Sequence, residues 1–496
     1  MFCAFLGRLS WAFGAALAAG AAGGQTPDVR VVFMEPDESA PAGALAAYRV
    51  VTDVERIKTY AAWHDNESAR LALQLYAQAW KTLAVRESAS ATLPPYHVAL
   101  VPGGNHADIG FRLRDEAGWH EYPKWSYIKL APEDWRFETT FLHETGHVVL
   151  HTLAGGRHLP GRELAPIPHT TAMLTDRATA FDEGFAIHLE TLAAHLSDDP
   201  AMRQRYRHER FDFGNPDLRR SEYARHAADL LSFSQNIARY YEVRENNFAF
   251  APACREPDYL RVQLEKARDF ATLRDANQLL QSEGFYASFF FSLTVRGEGR
   301  PSPEVVGQRQ ARMLGVLAEM FASTPPDEDT PYLLRFVETY LRKHPSEGED
   351  VVDVLLDLSH GVFVDPEAAT LWRELYLAAL RLDLGQLPLL AKVAGARQRW
   401  RSEVLNDPKV LYRRLGPQIR CEVPARTVQL VALGEPRPLC FDVNTAPEGV
   451  LRMIPHISEA EVSRWLSERA RAPFVDGADF RKRCALSDDV LGEVKF

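Results

Sequence analysis

The apolar positions of the chain change their period along its length, and the changes divide it. From Asp28 to Pro132 the pattern is mixed: Val29 to Met34, Tyr48 to Val54, Tyr96 to Val101 and Ser126 to Leu130 read as strands, and Ser68 to Val85 as an amphipathic helix. An apolar frame follows, Trp135-x-Phe137-x-x-x-Phe141-Leu142 with Val148, Val149 and Leu150 after it, which predicts a buried helix. From Ala186 to about Trp400 helical spacing dominates, in Ala186 to Leu196, Glu222 to Val243, Tyr259 to Leu280, Glu283 to Leu293, Pro303 to Phe321, Tyr332 to His344, Asp350 to Leu358 and Glu367 to Leu382. Breaks at Pro325-Pro326-Asp-Glu-Asp and Pro345-Ser-Glu-Gly-Glu-Asp mark loops, and no fixed-period repeat emerges. These periods predict an α+β chain, mostly helical. A mixed N-terminal lobe leads into helices over 25–300, a helical extension follows over 301–435, and a small separate unit covers 436–496.

Composition and charge narrow the class. An apolar content of 46% in 496 residues supplies ample core, and a formal charge of −10 argues against nucleic acid or an anionic membrane as a general partner. Residues 1 to 24 hold Arg8, an apolar run from Leu9 to Ala22 and small residues up to Gln25, the layout of a cleaved secretory signal. The run is too short and too rich in Ala and Gly for a comfortable membrane span, although a retained anchor is the alternative. The expectation is an exported protein, periplasmic or secreted, with no integral span after cleavage. Cleavage leaves Cys254, Cys421, Cys440 and Cys484, an even count that permits disulfides as readily as isolated buried thiols.

Candidate chemistry lies inside the buried frame, where His143-Glu144-Thr145-Gly146-His147 gives the H-E-x-x-H pattern. Positions four apart share a helical face, so His143 and His147 can direct two imidazole nitrogens at one Zn2+, and Glu144 can act as general base on a water there. The alternative is a core helix with two hydrogen-bonded histidines. Gly146 costs about 1 kcal/mol against Ala inside a helix, which points to a backbone or ligand coming close. A catalytic zinc site needs a third protein ligand. His151 lies about 12 Å along the axis from His143 at 1.5 Å per residue, too far to share the ion, and is read as a packed or supporting histidine.

The segment Ala180-Phe-Asp-Glu-Gly-Phe-Ala-Ile-His-Leu-Glu190 resembles the second helix of the gluzincin metallopeptidases, particularly their aminopeptidase branch. The resemblance implies a zincin-like α/β lobe with an active-site helix, Glu183 as third zinc ligand, and Glu190 as support for a ligand histidine. It also implies zinc-dependent hydrolysis of a peptide or protein substrate. Asp182 stands where the family has Asn, and 35 positions separate His147 from Glu183, more than those families use. The extra stretch, from Ala154 to Thr171, reads equally as a lid or a surface excursion. By the same resemblance Trp125 to Leu130 either borders the cleft, pairing with extended substrate, or is an interior strand. Ser282-Glu283-Gly284-Phe285 echoes the Asp182 segment and makes Glu283 a runner-up ligand, in a run that also reads as a core helix. Tyr223, Tyr240 and Tyr241 are candidates by position for stabilising an oxyanion. The rival reading is a non-catalytic scaffold associated with the envelope or secretion; Glu144 argues against it, because a structural zinc site needs no base.

Residues 441 to 496 carry Asp442-Val-Asn444-Thr445-Ala446-Pro, a helical pattern from Glu459 to Arg471, and then Pro473-Phe474 and Asp479-Phe480. This stretch resembles the helix-hairpin-helix unit of the type II secretion minor pseudopilin K family and, more distantly, the competence protein ComEA. DNA-binding hairpins of this kind bring glycine amides onto a phosphate. His456 and Ser458 stand at those positions and Glu459 and Glu461 follow, a departure that favours a module for packing or for a protein partner over the rival reading, a nucleic-acid-linked protein.

Overall fold

The computed structural model describes residues 29–160, 175–196, 276–296, 301–371, 386–423 and 439–494, less a few short stretches within these ranges. The expected signal segment, the helices expected over 222–243 and most of 259–280, and Tyr223, Tyr240 and Tyr241 lie outside the described residues. Contacts gather the chain into two units: Met1–His158, Leu189–Arg203 and Thr294–Thr324 in one, and Leu159–His188, Gln204–Leu293 and Pro325–Phe496 in the other.

In the first unit, strands β1 (Val31–Pro36), β2 (Ala46–Val50), β3 (Tyr96–Leu100), β4 (Asn105–Asp115) and β5 (Gly118–Leu130) close into a barrel in the order β1-β2-β4-β5-β3. The β1–β2 and β4–β5 pairs are antiparallel and the other three parallel. Helices α1 (Val54–Trp63) and α2 (Glu67–Glu87) connect β2 to β3. Strand alternation divides β3 between two environments. Ala99 joins Met34, Tyr48, Phe111, Leu113 and Tyr127 in one cluster, and the His97 ring packs 4.9 Å from Phe111. Tyr96 turns the other way, its ring 4.8 Å from Tyr76 of α2 and 5.7 Å from Phe141. Burial, with Arg30 nearby, brings His97 down to about 3, so its ring is a neutral packing group at neutral pH.

This sheet differs from the expectation in three places. The strand expected over Tyr48 to Val54 stops at Val50, because α1 begins at Val54. The strand expected from Ser126 begins at Gly118 and pairs with an unforeseen partner, β4, across a bulge between Ile109 and Phe111. Residues Ile128 to Leu130 pair with β3 on one side and β4 on the other. A strand bonded on both sides has no free edge, so over these residues the interior reading holds and the substrate-edge reading falls.

The H-E-x-x-H residues lie on α3 (Glu138–Leu153), which packs against α2, β4 and β5. Phe141, Leu142, Val148, Val149 and Leu150 are all buried, and each such side chain contributes about 1.5–3 kcal/mol through burial. Helix α4 (Arg177–Leu196) is continuous and carries Glu183 and Glu190. Helix α6 (Pro303–Ser323), which the sequence placed in a separate extension, packs on α2 and α3.

In the second unit, α5 (Glu283–Val295) lies against the first half of α4. Phe181 stacks on Tyr332 at 4.9 Å, and Phe185 meets Phe290 edge-on at 5.3 Å. Helix α7 (Tyr332–Lys343) brings Phe336 to Phe290 at 5.3 Å. Helices α8 (Gly348–Ser359) and α9 (Gln386–Asn406) pack together, with Arg397 paired to Asp353 and Asp357 and Arg401 to Asp353 and Glu349.

The C-terminal module has a two-stranded sheet, β6 (Arg420–Val423) with β7 (Leu439–Asp442), and helices α10 (Glu459–Arg471), α11 (Gly477–Cys484) and α12 (Asp488–Glu493). Trp465, Phe474, Phe480, Val443 and Ile454 centre its apolar core. Cys421 and Cys484 are free, buried thiols in that core, and burial pushes Cys484 up to about 12. For these two the isolated-thiol reading holds.

Candidate metal centre

Helical spacing does for His143 and His147 what the motif requires. Their rings lie on one face of α3 with centroids 5.1 Å apart. Glu144 is 5% exposed and His147 6%, while His143 is half-buried. The helix is held in place from β3: Thr145 Oγ1 donates to the Phe141 carbonyl at 2.7 Å, so Tyr96, 2.7 Å away, is the donor to Thr145. Burial pushes the Tyr96 hydroxyl well above its ordinary range, which keeps it protonated as that donor.

Glu183 is placed from α4. A Cβ built on the adjacent Gly184 would stand 2.7 Å from the Glu283 carbonyl oxygen and 3.1 Å from the Ala287 nitrogen of α5, so only glycine permits this approach. The sequence expected such a close approach at Gly146 and did not anticipate it at Gly184. His143, His147 and Glu183 each offer a ligand atom, and these atoms lie within 4.8 Å of one another; among the described residues this is the group of metal-ligand side chains that converges so. Two imidazoles and a carboxylate suit Zn2+ and leave a coordination position for water or substrate. Glu190, seven residues along α4 from Glu183, has Oε2 at 3.4 Å from His143 Nδ1.

Glu283 is not part of this group. It opens α5, is 2% exposed, and meets α4 through its backbone carbonyl against Gly184. His151 is 1% exposed and packed: Nδ1 is 3.1 Å from Ser126 Oγ, Nε2 is 3.2 Å from His158 Nδ1, and its ring is 6.4 Å from that of His147. Tyr96 and Ser126 had no signal in the sequence, because each acts on α3 from a strand far away in the chain.

In the C-terminal module the polar residues close on one another. Asp442 accepts from the amides of Ile419 at 2.8 Å and Asn444 at 2.6 Å. Asn444 is fully buried; its Nδ2 donates to the carbonyls of Pro417 and Phe474 at 2.8 and 2.9 Å, and its Oδ1 accepts from the Phe474 amide at 2.8 Å. His456 turns the hairpin at φ +66°, and Ser458 caps α10 in a capping box with Glu461. The Glu461 carboxylate accepts from Ser458 N at 2.8 Å, Ser458 Oγ at 2.6 Å and Ser487 N at 2.7 Å. Burial raises this carboxyl, but the serine hydrogen bonds outweigh it and bring it down to about 2. The chain's own carboxylate thus binds the amide that a phosphate would need.

Comparison with known proteins bears on this module alone. Residues 441–494 match the family model of the type II secretion system (T2SS), protein K. No curated protein and no solved structure shows significant similarity to the chain.

Proposed function

We propose that this chain is a zinc-dependent peptidase of the gluzincin kind, in which His143, His147 and Glu183 hold the metal. The observation that carries the reading is the convergence of those three ligand atoms within 4.8 Å, from two helices whose segments resemble that family. A zinc ion bound there supplies Lewis acidity toward a scissile carbonyl and toward water. Glu144 then takes a proton from the attacking water and delivers it to the leaving amine, its two roles using one carboxylate in turn. Glu190 holds the His143 ring, and the Tyr96–Thr145 hydrogen bond holds the turn of α3 that carries Glu144.

The match of residues 441–494 supports a coarser reading of the remainder: an exported protein whose C-terminal module meets a protein partner of a secretion assembly. No helix among the described residues is long and apolar enough to cross a membrane. The same match favours a second reading, a non-catalytic scaffold in which metal braces α3 and α4. Incubating wild type and Glu144→Gln with an unbiased peptide library, with zinc measured on both, separates the two. Peptidase action requires cleavage by wild type alone at equal zinc content. Equal cleavage, or none by either protein, sinks it, and none with metal present leaves the scaffold.

A further inference from the structure

His151 and His158 are seven residues apart in sequence and 3.2 Å apart in space, and the intervening chain is built to bring them together. Helix α3 ends in a Schellman turn, with Gly155 N bonded to Thr152 O at 3.0 Å and Gly156 N to His151 O at 2.9 Å. Both glycines have positive φ, +83° and +72°, and a Cβ on Gly156 would overlap the Lys124 carbonyl oxygen of β5. The turn sends His158 back onto the last turn of α3, where His151 is buried and His158 is exposed.

The hydrogen bonds fix which nitrogen is which. Ser126 Oγ donates to the Asp108 carbonyl at 3.1 Å, so it accepts from His151, and the His151 proton resides on Nδ1. His151 Nε2 therefore turns a lone pair toward His158 Nδ1. An imidazole held through Nδ1–H by an oxygen anchored to the backbone, with Nε2 aimed outward, is how proteins orient a metal-ligating histidine. Two Zn–N bonds of about 2.05 Å at a tetrahedral angle span about 3.3 Å, close to the nitrogen separation here.

We propose that His151 Nε2 and His158 Nδ1 form a second cation site, accessible from solvent, that takes a borderline transition-metal ion, Zn2+ foremost, with water completing the coordination. When the ion enters, the proton on His158 Nδ1 moves to Nε2 of the same ring, so both imidazoles stay neutral. The site uses no residue of the His143–His147–Glu183 group and does not depend on hydrolysis.

Equilibrium dialysis of the full chain against Zn2+, followed by elemental analysis, tests it. Wild type is expected to bind two ions, and His158→Ala, a change at an exposed position, one. Ser126→Ala should weaken the second ion about tenfold by freeing the His151 ring. Glu183→Ala should keep the ion held by His151 and His158, and the added His158→Ala should remove it, which separates failure here from failure of the peptidase reading. A His158→Ala protein that binds as many ions as wild type, with the same affinities, overturns the proposal and leaves a plain hydrogen-bonded histidine pair.

Discussion

Glu183 and Asn444 are the polar residues on which two regions of the chain turn, and their neighbours treat them differently. Around Asn444 donor meets acceptor: two carbonyls and one amide bind the side chain of a residue with no exposure. Around Glu183 the neighbours are two imidazoles, and three electron-pair donors come within 4.8 Å of one another. The first arrangement joins chain segments through bonds within the protein; the second is the arrangement that the proposed zinc would use. The region that matches a known family thus has its polar groups engaged with itself, and the proposed metal group lies in the region without a match.

The contrast can be broken at either end. The largest effect is expected from Glu144→Gln, which should lower kcat for peptide cleavage by about 10²–10⁴-fold while zinc content stays at the wild-type level. Glu183→Ala should cut tightly held zinc at the primary group, read by elemental analysis after chelation, and leave the C-terminal module folded. Asn444→Ala should do the reverse, destabilising the module by about 2–3 kcal/mol in urea unfolding with metal content unchanged, because buried amide and carbonyl groups lose their partners. Tyr96→Phe should cost only about 1 kcal/mol, since Thr145 keeps its bond to Phe141. A loss several times larger would mean that Tyr96 does more than hold α3.

The smallest effect is a pH dependence. Glu461 has its carboxyl lowered from 4.5 to about 2, so its contribution to stability is fully present above about pH 4.5 and is lost as pH falls through about 2. The thermal stability advantage of wild type over Glu461→Gln should hold at pH 6 and shrink steadily between pH 4.5 and 2. An advantage unchanged down to pH 2 would show that the charge on this cap is irrelevant.

The sequence was most informative where one helix sets the geometry. The spacing of His143, Glu144 and His147 is local, and so is the seven-residue step from Glu183 to Glu190. The barrel was illegible for equally physical reasons. Strand β4 carries Asn105, Asp108, Arg112 and Arg114 and is interrupted at Gly110, while β5 contains Pro123, so neither β4 nor the first half of β5 reads as a strand. In the fold the two irregularities face each other: a Cβ on Gly110 would stand 3.1 Å from the Pro123 carbonyl, at the bulge that accommodates both. Closure itself rests on parallel pairings between distant segments, for which no short-range pattern exists. The echo at Glu283 shows the limit of a short motif: Ser-Glu-Gly-Phe matches Asp-Glu-Gly-Phe in sequence, yet Glu283 opens a core helix that meets α4 at Gly184 and lies outside the ligand group.

The Gly184 contact with α5 has a mechanical meaning as well. Main chain rests on main chain there, so the height of Glu183 above the neighbouring helix is set by covalent geometry, with no rotamer slack accumulated along a stack of side chains. Core residues around α4 and α5 can then drift in size over generations while this spacing holds, whereas the addition of one methyl group at Gly184 would move the carboxylate itself.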